Sequence, residues 1–334
     1  LFKGCPKTSK LSKLNKSSAI GFQTASIAKN TDGEYVFEVD YYDARGLVTD
    51  MKKSYPGGHL LSAETEYTFT KKPSQVTTSV EYDGKSYSTT TTYAYNTHND
   101  ELEKVTLSSM GKTQLVAQYG YDAVGRLTHV TKPSAVGVES YTYNVRNWKT
   151  GMSSQSLSER LSYEKDAGKP CFNGNIARQQ WQTGNEPVLR GYDFAYDSLN
   201  RLVSSRYGEG QSLGDNKGRY DETIGKYNAN GAIMSLQRNG KLNNGSFGVI
   251  DNLTYTLDGN RPMSISDAAT SLAYSGSFDF KDKANQDIEY EYDANGSLTR
   301  DANKSLSITY DNCNMPMKMD FGNGKSIQYS FSAT

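Results

Sequence analysis

The stretch YGYDAVGRLTHV, Tyr119 to Val130, decides how the rest of the chain is read. Tyr119 and Tyr121 are two residues apart, so an extended backbone projects both rings from one face. Asp122 suits the first position of a type I turn, where its carboxylate accepts nearby backbone N–H groups. Gly125, three residues on, can take a positive φ at no steric cost. Arg126, Leu127 and Val130 then open a returning strand. The unit is strand, tight turn with a glycine bulge, strand.

Variants of this unit recur outward in both directions: YVFEVDYYDARGLV, YAYNTHNDEL, YTYNVRNWKTGM, FAYDSLNRLVSS, KYNANGAIMSL, YTLDGNRPMSI, YEYDANGSLTR and ITYDNCNMPMKM. Their turn-opening residues are Asp43, Asn96, Asp122, Asn144, Asp197, Asn228, Asp258, Asp293 and Asp311. The position three residues later holds Gly46, Asn99, Gly125, Asn147, Asn200, Gly231, Gly296 and Asn314, with the shortened copy Asp258-Gly259 out of step. Gly and Asn are the residues that most readily adopt the left-handed conformation, so this series predicts repeated hairpins. The intervals run from 18 to 35 residues, except two of 53 that look like doubled units. One of these contains the weaker match CFNGNIARQQW, Cys171 to Trp181. The other, from His59 to Thr92, has no full copy and reads as plainer hairpins around Asp83 and Gly84. A period of this size marks an architecture in which each unit buries its apolar face against its neighbours.

Composition agrees. The chain has 334 residues, only 35% of them hydrophobic, a mean hydropathy of −0.71, and 25 Tyr against 11 Phe. Amphipathic rings suit a thin sheet with one wet face. The 37 basic and 37 acidic residues cancel, which removes the bulk electrostatic drive towards nucleic acid or an anionic membrane. No apolar run approaches the length needed to cross a bilayer. Cys5, Cys171 and Cys313 are far apart and form no disulfide framework. Residues 1–34 carry lysines at 3, 7, 10, 13 and 16 among Ser, Thr and Asn, and read as a peripheral segment. Residues 35–334 read as the repeat ribbon. The sequence stops at Thr334 inside the strand-like IQYSFSAT, so it is expected to be a piece of something longer.

The YDxxGRL core, intact as Tyr121–Leu127 and nearly intact as Tyr196, Asp197, Asn200, Arg201 and Leu202, resembles the YD repeats of RHS-repeat proteins. The linking phrases LSYEKDAGKPCFNGNI, RGYDFAYDSLNRL and DNLTYTLDGNRPMSISD are similar to large RHS proteins of Bacteroides-type bacteria. The resemblance covers residues 35–334. It implies an all-β fold of repeated antiparallel hairpins forming a spiralling β-ribbon, part of a hollow shell or barrel wall. It further implies a secreted or cell-surface bacterial protein, with the shell enclosing a C-terminal toxin or effector. The implied partners are the remainder of the same polypeptide or other RHS segments. Members also carry a core segment that follows the repeats and cleaves off the passenger with catalytic aspartates. No such segment precedes Thr334, so neither protease nor toxin is expected in this stretch, and none of its aspartates is assigned that role.

Other chemistry is sparse. His59, His98 and His129 lie in no metal-ligand spacing, and no GxSxG elbow marks a nucleophile. Asp215 to Glu222, DNKGRYDE, lacks the alternating oxygen ligands of a calcium loop and reads as a solvated loop. Asp287, Glu289 and Glu291 alternate with Ile288, Tyr290 and Tyr292, which predicts a wet carboxylate face opposite an apolar one. Trp148 and Trp181 could stack on sugars, which defines the alternative: a surface adhesin or glycan-binding module. No enzyme activity, cofactor or metal is expected.

Overall fold

The computed structural model describes residues 21–29, 33–55, 58–133, 137–165 and 168–331. Among the described residues, apart from one 3₁₀ turn, Ala302–Lys304, the regular elements are strands. They are β1 (Ala25–Lys29), β2 (Tyr35–Tyr42), β3 (Val48–Tyr55), β4 (His59–Tyr67), β5 (Pro73–Tyr82), β6 (Lys85–Tyr95), β7 (Leu102–Ser109), β8 (Lys112–Tyr121), β9 (Leu127–Thr131) and β10 (Val138–Tyr143). There follow β11 (Lys149–Ser153), β12 (Leu157–Ser162), β13 (Arg178–Thr183), β14 (Arg190–Tyr196), β15 (Leu202–Glu209), β16 (Glu222–Tyr227), β17 (Ile233–Lys241), β18 (Phe247–Asp258) and β19 (Arg261–Asp267). A second sheet of five strands contains β20 (Tyr290–Tyr292), β21 (Leu298–Asp301), β22 (Leu306–Tyr310), β23 (Pro316–Asp320) and β24 (Ser326–Gln328). The first nineteen strands belong to one sheet. Every ladder joins sequence neighbours in antiparallel fashion, as in β4 with β5 and β17 with β18.

The chain divides into two compact units. The first holds the described residues up to Ser140 with Ser330 and Phe331; the second is Tyr141–Tyr329. Strand β1, within the segment read as peripheral, pairs along its length with β2, Ala25 opposite Val39 and Lys29 opposite Tyr35. The lysines at 3 to 16 lie outside the described residues.

The core is thin, as expected for a meander that buries alternate positions. In the first unit Val36, Val105, Ala117 and Val130 are buried, with Val105 directly opposite Ala117 and Val130 opposite Tyr119. In the second, Leu161, Ala177, Tyr207, Leu213, Ile250, Leu253, Leu306 and Ile308 are buried. Ring stacking supplements the aliphatics: Tyr192 packs between Trp181 and Phe194 and meets Tyr207 edge-on.

In a meander, turns alternate between the two edges. Along each run of successive paired strands the turns that leave even-numbered strands therefore fall on the same edge, and these include the Asp/Asn turns. The opposite edge carries plain reversals such as Asp83-Gly84, where both residues have positive φ (47° and 68°), as a type I′ hairpin requires.

Candidate functional site: the clasped turns

At Asp122 the turn is built from four hydrogen bonds. Asp122 N–H donates to Arg126 O (2.9 Å), and Gly125 N–H donates to Asp122 O (3.0 Å). Asp122 Oδ1 accepts from the backbone N–H of Val124 and Arg126 (3.0 Å each). Gly125 has φ 80°. The ladder slips by one residue between Gly120 and Tyr121, so Tyr121 faces Leu127 across a bulge.

The same contacts recur at Asp43, Asn144, Asp197, Asn228, Asp293 and Asp311, each side-chain Oδ1 accepting from the backbone two and four residues on. The left-handed positions are Gly46, Asn147, Asn200, Gly231, Gly296 and Asn314. Asn serves as well as Asp at the opening position because an amide oxygen accepts the same two bonds.

Two copies depart from this plan. In the Asn96 turn the left-handed residue is Asp100 (φ 61°), not Asn99, and the closing bond runs from Asn96 N–H to Glu101 O, so this turn holds one extra residue. Asp258-Gly259 is a two-residue reversal, with Asp258 facing Arg261 and ion-paired to it at 3.1 Å.

Aspartate adds a second oxygen, which takes a guanidinium. Arg126 Nε donates to Asp122 Oδ2 at 2.6 Å and Arg201 Nε to Asp197 Oδ2 at 2.7 Å. The Arg126 backbone N–H, then its guanidinium, hold the Asp122 carboxyl below the usual carboxylate range, and Arg201 does the same for Asp197. At Asp43 burial pushes upward, but the Leu47 N–H and Arg45 outweigh it and the net shift is downward.

At eight of the turns the preceding tyrosine contributes a long-range bond that sequence reading missed. Tyr121 Oη donates to Leu102 O (3.1 Å), at the start of the return strand of the preceding repeat. Equivalent clasps run from Tyr42 to Gln23 O, Tyr67 to Val48 O, Tyr95 to Pro73 O, Tyr196 to Ile176 O, Tyr227 to Leu202 O, Tyr292 to Pro262 O and Tyr310 to Leu298 O, between 2.5 and 3.0 Å. Arg201 also lies over the Tyr227 ring, 4.4 Å from its centroid, so one side chain braces its own turn and the next clasp.

The Tyr67 clasp exposes a hidden repeat. Thr68 N–H donates to Lys72 O (2.8 Å), Thr68 Oγ1 accepts from Lys72 N–H (3.1 Å), and Lys71 takes the left-handed position at φ 68°. A threonine hydroxyl replaces the aspartate oxygen, which splits the first interval of 53. In the second, Asn173 Oδ1 accepts from Asn175 N–H beside Gly174 at φ 97°.

The remaining candidates are structural in place. Trp148 packs on Tyr163 and Trp181 on Tyr192. His59 meets the Tyr82 ring, and His129 covers Gly120 so closely that a Cβ there would meet its ring at 2.0 Å. The Asp215–Glu222 loop packs back on the sheet: Asp221 Oδ1 accepts from Tyr207 N–H at 2.7 Å, and Asp215 bridges to Glu209. The expected carboxylate face at Asp287, Glu289 and Glu291 is overturned. Glu289 is 1% exposed and accepts from Ile265 N–H and Asn303 Nδ2, while Ile288 is 49% exposed. The strand begins only at Tyr290, so alternation does not govern residues 287–289.

Repeated clasped hairpins define the class: an all-β ribbon of antiparallel hairpins. No protein-family model matches the sequence, and no curated protein matches it. Among solved structures, the chain is similar to one in a Photorhabdus luminescens Tc holotoxin pore with a mutated TccC3, at TM-score 0.51 and 12% identity over 92% of this chain and 18% of that one. It is similar also to a TcdB2-TccC3 crystal structure, at TM-score 0.50 and 11% identity over 92% of this chain and 19% of that one. At these identities the likeness is one of fold, and this chain spans about a fifth of the chains it matches. No described helix is long and apolar enough to cross a membrane.

Proposed function

We propose that the chain is a wall segment of an RHS-type shell, with a mechanical role: it helps to build an enclosure for a C-terminal toxin or effector of a secreted bacterial protein. The observation that carries this reading is the series of eight tyrosine clasps from Tyr42 to Tyr310, each of which ties a hairpin back to chain that precedes it. A ribbon fastened this way along one edge resists peeling and can be lengthened by adding hairpins. The fold shared with a stretch of Tc toxin chains supports the same role. In this reading the segment performs no catalysis, and its partners are the rest of its own polypeptide.

The glycan-binding alternative draws no support from Trp148 and Trp181, which are partly buried, Trp148 tilted against Tyr163 and Trp181 stacked on Tyr192. The test is protease protection in the complete polypeptide. A passenger downstream of Thr334 should survive digestion until the ribbon is unfolded. A passenger cut as fast as an isolated peptide, or a gene that stops shortly after Thr334, would overturn the proposal.

A further inference from the structure

Residues 268–289 join β19 to β20 and fold back over β17 and β18 as a strap. Ala273 bridges Leu242, Tyr274 N–H donates to Lys241 O, and Asn243 N–H donates to Leu272 O. Farther along, Phe280 N–H donates to Asp251 Oδ1 (2.7 Å), Arg238 Nη2 to Phe278 O (2.8 Å), and Asp267 N–H to Asp282 Oδ2 (3.2 Å). The last contacts go to Asn303 Oδ1, which accepts from the N–H groups of Lys283 and Ala284. The strap is thus held largely by side chains reaching its backbone.

At the centre of this seam three carboxylates converge. Oxygens of Asp251, Asp267 and Asp279 lie within 4.8 Å of one another, and the Asp251 side chain is fully buried. Arg238 on β17 pairs with Asp251 (2.7 Å), and Lys281 on the strap pairs with Asp279. Asp282 of the strap and Tyr255 on β18 also face the cluster, and Lys241 meets the Tyr274 ring farther along the seam. Three central carboxylates against two cations leave at least one negative charge uncompensated. Like charges at this separation repel one another appreciably in a site screened only partly by water. The oxygens of Asp251 are already occupied by Arg238 and the Phe280 N–H, and Asp267 Oδ1 accepts from Asn252 and Ala269 N–H. One proton held by the cluster as a whole relieves the repulsion.

We propose that the strap closes on a proton: the Asp251–Asp267–Asp279 cluster takes one up from solvent as residues 268–289 dock, so mild acid holds the strap and alkaline solution loosens it. Burial pushes the Asp251 carboxyl above the usual carboxylate range; the Phe280 N–H and Arg238 pull the other way, and Asp267 and Asp279 add to the rise. A group whose folded value is raised stabilises the closed form below that value and loses the contribution as pH climbs through it. The titration belongs to the cluster and not to one member.

The test measures, on the 334-residue chain, the amide protection factor of Phe280 and the carboxyl carbon shifts of the three aspartates from about pH 5 to about pH 9. The expected result is a carboxyl titration above the ordinary aspartate range. Over that window the opening constant of the strap rises by up to about tenfold per pH unit. Asp279→Asn and Asp267→Asn, which remove a charge from the less buried side, should leave the strap protected at alkaline pH with a flat profile. Ordinary titration of all three carboxyls, or equal protection across the range in the unmodified chain, would overturn the proposal. So would alkaline protection restored by millimolar calcium, which would make a cation the missing charge.

Discussion

Tyr121 does two things from one position: it faces Leu127 across the bulge of its own hairpin, and its hydroxyl donates to Leu102 O. Tyr121→Phe keeps the ring and removes the bond, which should cost about 1 kcal/mol, read as lost hydrogen-exchange protection of β8 and β9 amides. Tyr119→Phe, two residues away, should change it by less than about 0.5 kcal/mol. Lys71 holds a left-handed conformation that a Cβ disfavours. Lys71→Gly should stabilise the first unit by about 1 kcal/mol, by the same exchange measurement at β4 and β5. The turn aspartates set an acid limit. The carboxyls of Asp43, Asp122 and Asp197 lie below the usual range in the folded chain, so their contribution is present above the ordinary aspartate value and is lost as pH falls through the lowered ones. Asp122→Asn keeps the Oδ1 bonds, as Asn144 does in its own turn, and should remove the acid sensitivity of that turn in an acid titration followed by exchange.

The hairpin is the element that the sequence displays most openly. Asp or Asn followed three residues later by Gly or Asn is a local rule of backbone conformation, so seven full copies could be read from residues alone. Thr68 and Lys71 escaped because a hydroxyl and a strained lysine make the same turn without the usual letters. The Asn96 turn misplaced its left-handed residue because one insertion shifts the rule to Asp100. The clasps were invisible for another reason: a tyrosine hydroxyl meeting a carbonyl 12 to 30 residues earlier has no local signature. Glu289 shows the cost of extending a period-two pattern past the end of a strand, since its carboxylate is buried and accepts from Ile265 N–H and Asn303 Nδ2. At this scale Arg201 and Tyr227 should act as a pair. A double-mutant cycle on Arg201→Ala and Tyr227→Leu should return a coupling of about 0.5–1 kcal/mol, read from β15 and β16 exchange.

At the scale of the whole molecule, stability is built from neighbour to neighbour, because the described ladders join strands adjacent in sequence, as β4 with β5 and β17 with β18. That suits a wall, whose strength must be spread along its length. The repeat organisation and the all-β class followed from the sequence. The seam over β17 and β18 did not, because Arg238, Asp251, Asp267 and Asp279 come together only when the strap folds back. The wall reading is tested most directly by a cryo-EM reconstruction of the complete polypeptide. It requires that residues 35–331 form a continuous stretch of a closed wall, with the tyrosine clasps along one edge and downstream chain inside the enclosure. An open sheet, or a downstream domain standing free outside it, would contradict that reading.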